Sequence, residues 1–274
     1  MKHFLVTRFN LTVTEWKTTR NGELVLTEKW LKNRFKLFEK YCLPSVKNQT
    51  NQNFIWCVFF DINTPIMYRK KINSISEDYP NFRPIFIDGN KMLNSSFIEY
   101  INKYTDINDD YVITTRLDND DLIHKSFIKI IQTLYKPMDK MIIDLRNGYT
   151  ITLAKSYSEI RKYYSCFNPF ISVVESTNKF ETILSKMHQD WESSNNIVVF
   201  NGKNLWIELV HKENKINSTK KNLKRIYKIN NSSFGLENEL KFKEQPISVF
   251  ISNMKLDIDH FKKLFNTLLK RFFK

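Results

Sequence analysis

Short apolar runs alternate with amphipathic stretches over the first 135 residues. His3 to Phe9 predicts a strand, and an irregular polar segment over 11–27 follows, with Asn21-Gly22 as a turn. Thr27 opens a helix running to about Tyr41, in which Trp30, Leu31, Phe35, Leu37, Phe38 and Tyr41 follow a 3.6-residue spacing and Pro44 falls near the end. Phe54 to Phe60 is an unbroken apolar run closed by Asp61, the mark of a strand buried on both faces. A helix over 66–78 stopped by Tyr79-Pro80, a short strand with a Gly turn over 82–89, a helix over 95–104, a strand over 111–117 and a helix over 124–135 complete the series. Strands separated by helical stretches of this length predict an α/β fold, a mostly parallel central sheet with helices on both faces. Such sheets place ligands beyond the carboxyl ends of their strands. Asp61, Asp88 and Asp118 to Asp121 all stand there.

The second half is less regular. Met141–Leu145 and Thr150–Leu153 suggest a hairpin around Asn147-Gly148. Strands are expected at 170–175 and 204–211, and 212–235 is basic, Asn-rich and weakly patterned, as a mobile segment would be. A helix is expected from about Leu256, with Phe261, Leu264, Phe265, Leu268 and Phe272 in one apolar stripe and Lys262, Lys263, Lys270, Arg271 and Lys274 off it or at its edges. That pattern suits a helix lying in the plane of a membrane surface, or a terminal helix docked on the domain with a basic outer face. The expected division is therefore a domain over 1–211, a basic irregular extension over 212–255 and an amphipathic basic helix over 256–274.

Composition narrows the class. With 42% apolar residues, 22 Phe, 12 Tyr and 5 Trp in 274 residues, the chain can bury a full core and is not disordered over long stretches. No apolar run is long enough to span a bilayer, and the first residues lack the pattern of a signal peptide. Three scattered cysteines exclude a disulfide scaffold and a zinc ribbon and favour a cytoplasmic setting. Only 5 Gly occur and no Gly-x-Gly-x-x-Gly or Walker loop is present, which excludes those phosphate-binding devices. The net charge is +14, of which residues 203–274 contribute +9. The basic residues are mostly Lys and Asn is abundant, as an AT-rich coding bias would produce, so the charge by itself leaves nucleic acid, anionic lipid and a phosphorylated substrate open.

The sharpest chemical signal is Thr115-Arg116-Leu117-Asp118-Asn119-Asp120-Asp121 at a strand end. Three carboxylates in four residues repel one another unless a cation or a set of donors compensates them. Asp118 and Asp120 project from one side of extended backbone, and hard oxygens at that spacing suit Mg²⁺ or Mn²⁺. The alternative is a solvated acidic loop before the next helix. His211, after the last strand, is either a structural imidazole or a ligand favouring Mn²⁺. Met187-His188-Gln189-Asp190-Trp191-Glu192 reads as an acceptor site, a general base beside a Trp platform, or as an amphipathic helix end; Glu175 is a second base candidate.

The run Trp30…Arg34…Phe38-Glu39…Leu43-Pro44-Ser45…Gln49…Phe54…Trp56…Phe60-Asp61…Thr64-Pro65, the Thr115–Asp121 segment, and Trp206…Val210-His211…Asn214 together resemble the family of putative rhamnosyltransferases. The resemblance covers about residues 3–214. It implies a GT-A, nucleotide-diphospho-sugar transferase fold, a Rossmann-like sandwich, with Arg116–Asp121 resembling the Asp-x-Asp motif of such enzymes. It further implies that Asp118 contacts ribose or metal, that Asp120 binds metal and diphosphate, and that His211 is a metal ligand. Asp61 would read the nucleotide base, and Arg8, Arg116 and Asn119 would lie against the nucleotide. Asp190 is the implied general base, with Glu175 and Glu192 behind it, and His188 and Trp191 would bind the acceptor. Gln189-Asp190 departs from the usual Glu-Asp pair.

The expectation is thus a metal-dependent, inverting glycosyltransferase, with Mn²⁺ or Mg²⁺ as cofactor and a dTDP-, UDP- or GDP-linked sugar, rhamnose among the candidates, as donor. Its acceptor would be a hydroxyl of a cell-surface glycan or a lipid-linked oligosaccharide, and 256–274 would contact the cytoplasmic face of the inner membrane. One rival, a sugar-phosphate nucleotidyltransferase, would carry a Gly-rich basic loop that residues 10–22 lack. A basic nucleic-acid-binding protein, the other rival, would have no use for the acidic strand end.

Overall fold

Alternation along the first strands explains a sheet covered on both sides. In the computed structural model, β1 (Lys2–Arg8) sends Phe4 and Val6 to one face and Leu5 to the other. β2 (Ile55–Asp61) divides in the same way, with Cys57 and Phe59 against Trp56, Val58 and Phe60. The first face packs on α4 (Leu93–Tyr104) through Phe97 and Ile101. The second packs on α1 (Glu28–Leu37), α3 (Ile66–Asp78) and α5 (Phe127–Leu134) through Phe35, Ile72 and Phe127. The structure describes residues 1–13, 18, 22, 24–154, 158–214, 217–236, 240 and 245–272, without the side chains of 268 and 270–272.

The large sheet has seven strands. With β3 (Phe82–Ile87), β4 (Tyr111–Arg116), β6 (Met141–Leu145), β9 (Ser172–Ser176) and β10 (Asn196–Phe200), its order is β10-β6-β9-β4-β1-β2-β3. Only β9 runs against the others, so the expected mostly parallel α/β sheet is what forms. A smaller sheet, in the order β12-β8-β7-β11-β5, stands beside it. Its strands are β5 (Leu122–Ile123), β7 (Asn147–Thr152), β8 (Glu159–Tyr164), β11 (Trp206–Val210) and β12 (Arg225–Ile226).

Four sequence expectations change. The hairpin around Asn147-Gly148 does not form: β6 pairs with β9 and β10, whereas β7 pairs with β8 and β11. Gly148 lies within β7, where the Trp206 ring occupies the space a Cβ would need, 2.2 Å from its ideal position. The glycine therefore serves close packing of the indole, and the chain crosses from one sheet to the other at Arg146. The helix from Thr27 does not end near Tyr41. Thr27 Oγ1 accepts the Trp30 N–H at 3.2 Å as N-cap, and a wide π turn over Phe38–Cys42 carries the chain into α2 (Leu43–Lys47). Pro44 has no N–H and its ring would clash with the carbonyl four residues back, so widening the turn lets the helix pass it.

Residues 212–235 are not uniformly loose. Arg225 and Ile226 form β12, and Phe234, with Leu236 just beyond, is buried against Tyr41, Leu122 and Ile207. The C-terminal helix α6 (Pro246–Phe272) begins ten residues before the expected Leu256, with Pro246 in the first turn, where its missing N–H costs nothing. Phe273 and Lys274, and the side chains of Leu268, Lys270, Arg271 and Phe272, lie outside the described residues.

Candidate active site

The acidic segment is one of the connections between the two sheets. β4 ends at Arg116, the Leu117 N–H bonds to Val6 O at 2.9 Å, and Asp118 to Asp121 then turn the chain into β5. β5 pairs antiparallel with β11, Ile123 opposite Trp206 and Leu122 opposite Ile207. Asp121 Oδ1 accepts the Leu209 N–H at 2.9 Å and fixes the register. Because β11 then runs on to His211, the pairing of two short strands carries that imidazole to the loop. The bent α1–α2 helix supports the loop from behind, with Cys42 Sγ 3.7 Å from Asp118 O and Ser45 Oγ accepting the Ile123 N–H at 3.2 Å.

Asp120 is the hub. Its Oδ2 accepts from Arg34 Nη1 at 2.9 Å, His211 Nε2 at 2.8 Å and Asn214 Nδ2 at 3.2 Å, and the residue is buried. Burial alone would raise this carboxyl, but Arg34 and His211 outweigh it and hold Asp120 well below the usual carboxylate range. His211 Nδ1 accepts the Glu213 N–H at 3.2 Å, so the ring proton sits on Nε2 and points at Asp120. Asn214 Oδ1 accepts the His211 N–H at 2.6 Å and closes the turn.

Asp118 is half-buried and receives Arg116 on both oxygens, at 3.1 and 3.2 Å from Nη2. Burial opposes its charge, yet Arg116 and Arg8 keep its carboxyl below the ordinary value. Burial lowers the Arg8 guanidinium, and Asp118 partly restores it. Asp121 differs: burial and the charges of Asp120 and Asp118 push it well above the usual range. Asn119, expected against the nucleotide, instead bonds to Arg8 O at 2.9 Å and Phe9 O at 3.1 Å through Nδ2, and accepts from Arg34 at 3.1 Å. Its amide is spent on holding the loop to β1 and α1.

Asp61 caps the carboxyl end of β2. Its carboxylate accepts from Thr12 N and Oγ1 at 3.3 and 3.0 Å and from Asn63 N and Nδ2 at 2.9 and 3.1 Å. A cleft of about 440 Å³ opens beside it, lined by Asn10, Thr12, Leu31, Asn63, Tyr68 and neighbours.

The acceptor-side expectations divide. Glu175 is not at this edge: it pairs with Val112 near the start of β4, and its oxygens accept the N–H groups of Glu181 and Thr182 at 2.9 and 3.0 Å. Burial raises its carboxyl. It caps a turn at the far end of the sheet and has no route to the acidic loop. Trp191 is no open platform either. It is 2% exposed and packs among Phe4, Ile142, Phe167 and Ile183. An indole in a turn over an apolar sheet face gains more by burial than by staying open. His188–Ser193 form a 3-10 helix that leaves Asp190 and Glu192 exposed, while His188 Nδ1 bonds to Phe167 O. Phe167 N in turn donates to Asp144 near the carboxyl end of β6, which tethers the start of this turn to the same edge as the acidic loop.

A divalent ion does not fit these groups as they are arranged. Asp120 Oδ2 holds three donors, Asp118 holds Arg116, and His211 presents a proton where a ligand needs a lone pair. Among the described residues no group of three or more His, Cys, Asp or Glu side chains is disposed to hold a metal ion. The positive charge at the loop comes from Arg8, Arg34 and Arg116. Two contributors escaped the sequence reasoning. Arg34 stood in the motif with no role assigned to it, although a lone arginine on the apolar side of an aromatic helix signals a buried acidic partner. Glu213 is buried beside His211, with Oε1 accepting from Asn33 at 2.6 Å and Oε2 without a hydrogen-bond partner among the described residues.

Comparison with known proteins gives one family match and several distant likenesses. Residues 2–223 match the model of a family described as "Putative rhamnosyl transferase". The structure is similar to S. aureus TarS 1–349 in complex with UDP-GlcNAc, at 14% identity and a TM-score of 0.47, over 78% of this chain and 60% of that one. It is also similar to the inositol-1-phosphate CTP transferase from T. maritima, at 15% identity and a TM-score of 0.41, over 80% and 92%. A putative nucleotide-diphospho-sugar transferase from Desulfovibrio desulfuricans G20 aligns at 9% identity and a TM-score of 0.34, over 78% and 82%. The chain spans about three fifths of the TarS 1–349 structure. No curated protein matches it.

Proposed function

The chain belongs to the family of putative rhamnosyl transferases, and from that premise we propose that it is a GT-A glycosyltransferase moving a sugar from a nucleoside-diphosphate donor to a hydroxyl. The observation that carries this reading is the convergence of Arg34 from α1, His211 from β11 and Asn214 on Asp120, at the carboxyl end of β4. The cleft beside Asp61 opens at the end of β2.

In this reading the nucleoside occupies the cleft. Asp61 takes the base edge, Tyr68 and Leu31 provide apolar contact, and the diphosphate reaches towards Arg8 and Arg116. Transfer breaks the bond between the anomeric carbon and the diphosphate oxygen and forms one to the acceptor oxygen, whose proton goes to a carboxylate. Charge grows on the leaving diphosphate, and fixed guanidinium groups at that point stabilise it. Asp190, with Glu192 two residues on, is the base we assign, because both are exposed while the Glu175 oxygens are occupied. Inversion at the anomeric carbon accords with a single base on the acceptor side. A glycan hydroxyl is the acceptor class. The expected dependence on Mn²⁺ or Mg²⁺ would require Arg34 and Arg116 to leave the two carboxylates, so no step here passes through a metal.

A thermal-shift series with dTDP, UDP and GDP, each in EDTA and in Mn²⁺, tests the reading, since a ligand that binds the native state raises its melting temperature. One nucleotide should stabilise the chain by several degrees, and Asp61→Ala should remove most of that shift. No stabilisation by any of the three, in either condition, would sink the proposal. A shift that persists in EDTA assigns diphosphate neutralisation to the arginines.

A further inference from the structure

Helix α6 is 27 residues long, about 40 Å at 1.5 Å per residue, and touches its own domain with one narrow face. Asn253 bonds to the Arg225 N–H at 2.8 Å through Oδ1 and to Arg225 O at 3.0 Å through Nδ2, Asp257 pairs with Lys224 at 2.9 Å, and Val249 is buried. Asn253, Ser252 and Leu256 line a small polar cleft against β8. Apart from Val249 and Leu256, the apolar side chains of the helix do not take part in this docking. Phe250, Met254, Ile258, Phe261, Leu264 and Phe265 recur at three- and four-residue intervals on the face turned away from the docked one, within a stripe running from Ile247 to Leu269. Phe250 and Phe261 are 65% and 69% exposed. The usual reason for such a stripe, burial on the helix's own domain, is absent here.

We propose that this face is an interaction surface for an anionic lipid bilayer, with α6 lying in the plane of the interface. Charge selects lipid over a second copy of the chain. Lys255 and Lys262 flank the stripe, Lys263 and Asp259 lie on the side opposite it, and Asp257 is engaged by Lys224. Two such helices face to face would set their lysines against each other, while an anionic surface attracts them. The stripe is also wider than the two-position seam of a helix pair, because Phe250 and Leu264 extend it on one side. Phenyl rings with flanking lysines match the interfacial zone, where rings enter the acyl boundary and ammonium groups reach the headgroups. No helix of the described residues is long and apolar enough to cross a membrane, so the contact is one of lying on the surface. The inference does not depend on the glycosyl-transfer reading.

The test uses the full chain and sedimentation with vesicles of phosphatidylcholine, alone or with about a third phosphatidylglycerol. The chain should bind the anionic vesicles at least about tenfold more tightly than the neutral ones, and raised salt should weaken the binding. Phe250→Ser/Phe261→Ser/Phe265→Ser should abolish it, with an unchanged melting temperature showing the variant to be folded. Equal binding by variant and parent, or no binding by the parent, overturns the proposal. So does a dimer in lipid-free sedimentation velocity that the triple variant converts to monomer, since the face would then belong to a second copy.

Discussion

Arg34 offers the most direct measure of how the acidic loop is held. Its Nη1 reaches Asp120 Oδ2 at 2.9 Å and Asn119 Oδ1 at 3.1 Å, and its guanidinium lies 5.0 Å from the centre of the Trp30 ring. The side chains of Arg34 and Asp120 are 10% and 9% exposed, so solvent cannot replace the lost partner. Removing one member of a buried ion pair costs ~3–5 kcal/mol. Asp120 keeps His211 and Asn214, which places Arg34→Ala at the low end, about 3 kcal/mol. For a chain of this size that is a fall in melting temperature of roughly 6–12 °C. Arg34→Lys should recover only part of this, because the ammonium lacks the planar guanidinium that lies over the Trp30 ring. Urea unfolding of Arg34→Ala, Asp120→Asn and the double variant gives the coupling, expected above about 1 kcal/mol for groups in direct contact. An Arg34→Ala loss below about 1 kcal/mol, or strict additivity in the cycle, would show that the pair does not hold the loop.

Two further outcomes follow from burial. Trp191→Ala should destabilise the fold by about 3–5 kcal/mol in urea unfolding, as loss of a buried indole does, and a variant of unchanged stability with altered acceptor affinity would return Trp191 to the site. His3 is buried in β1 against Thr115, and burial lowers its imidazole from 6.5 to about 3. The unfolded chain then binds the proton first, so stability is intact above pH 6.5 and falls as pH drops towards 3, by about 1.4 kcal/mol per unit at most. His3→Gln should flatten the melting-temperature profile between pH 7 and about 5, and parallel profiles for parent and variant would refute this.

Much of the large sheet was legible because its strands are buried on both faces. Phe54 to Phe60 has no polar interruption, and the helices on either side carry regular stripes, so period and length agreed. The smaller sheet was legible only in β7 and β11, which overlap the strands expected at 150–153 and 204–211. β5 has two residues and β12 two, and neither has a period to detect. Asn147-Gly148 carried a turn signal, yet the glycine is there for the Trp206 ring, a contact between residues far apart in sequence. The same limit applied to the site. A strand-end acidic cluster can be read locally, but the partners of Asp120 come from positions 34, 211 and 214, brought to it by the packing of α1 and by the pairing of β5 with β11. Trp191 shows the converse, since a sugar platform and a core indole look alike until burial is known.

The pairing of arginines with carboxylates also constrains how the site can respond to a ligand. Arg116 serves Asp118 on both oxygens, and Arg34 serves Asp120 and Asn119 together. A diphosphate is a stronger competitor for a planar guanidinium than a single carboxylate, because it offers more charge and the same two-point geometry. Arg116 is the more exposed of the two and can turn towards the phosphates at the cost of one ion pair, whereas moving Arg34 would also uncover Asn119 and, through it, the backbone of Arg8 and Phe9. Ligand binding should therefore exchange the Arg116–Asp118 pair first and leave the Arg34–Asp120 hub in place. On that ordering, and if the proposed donor binds here, Arg116 would govern its affinity, while Arg34 would hold the loop in the form that the donor meets.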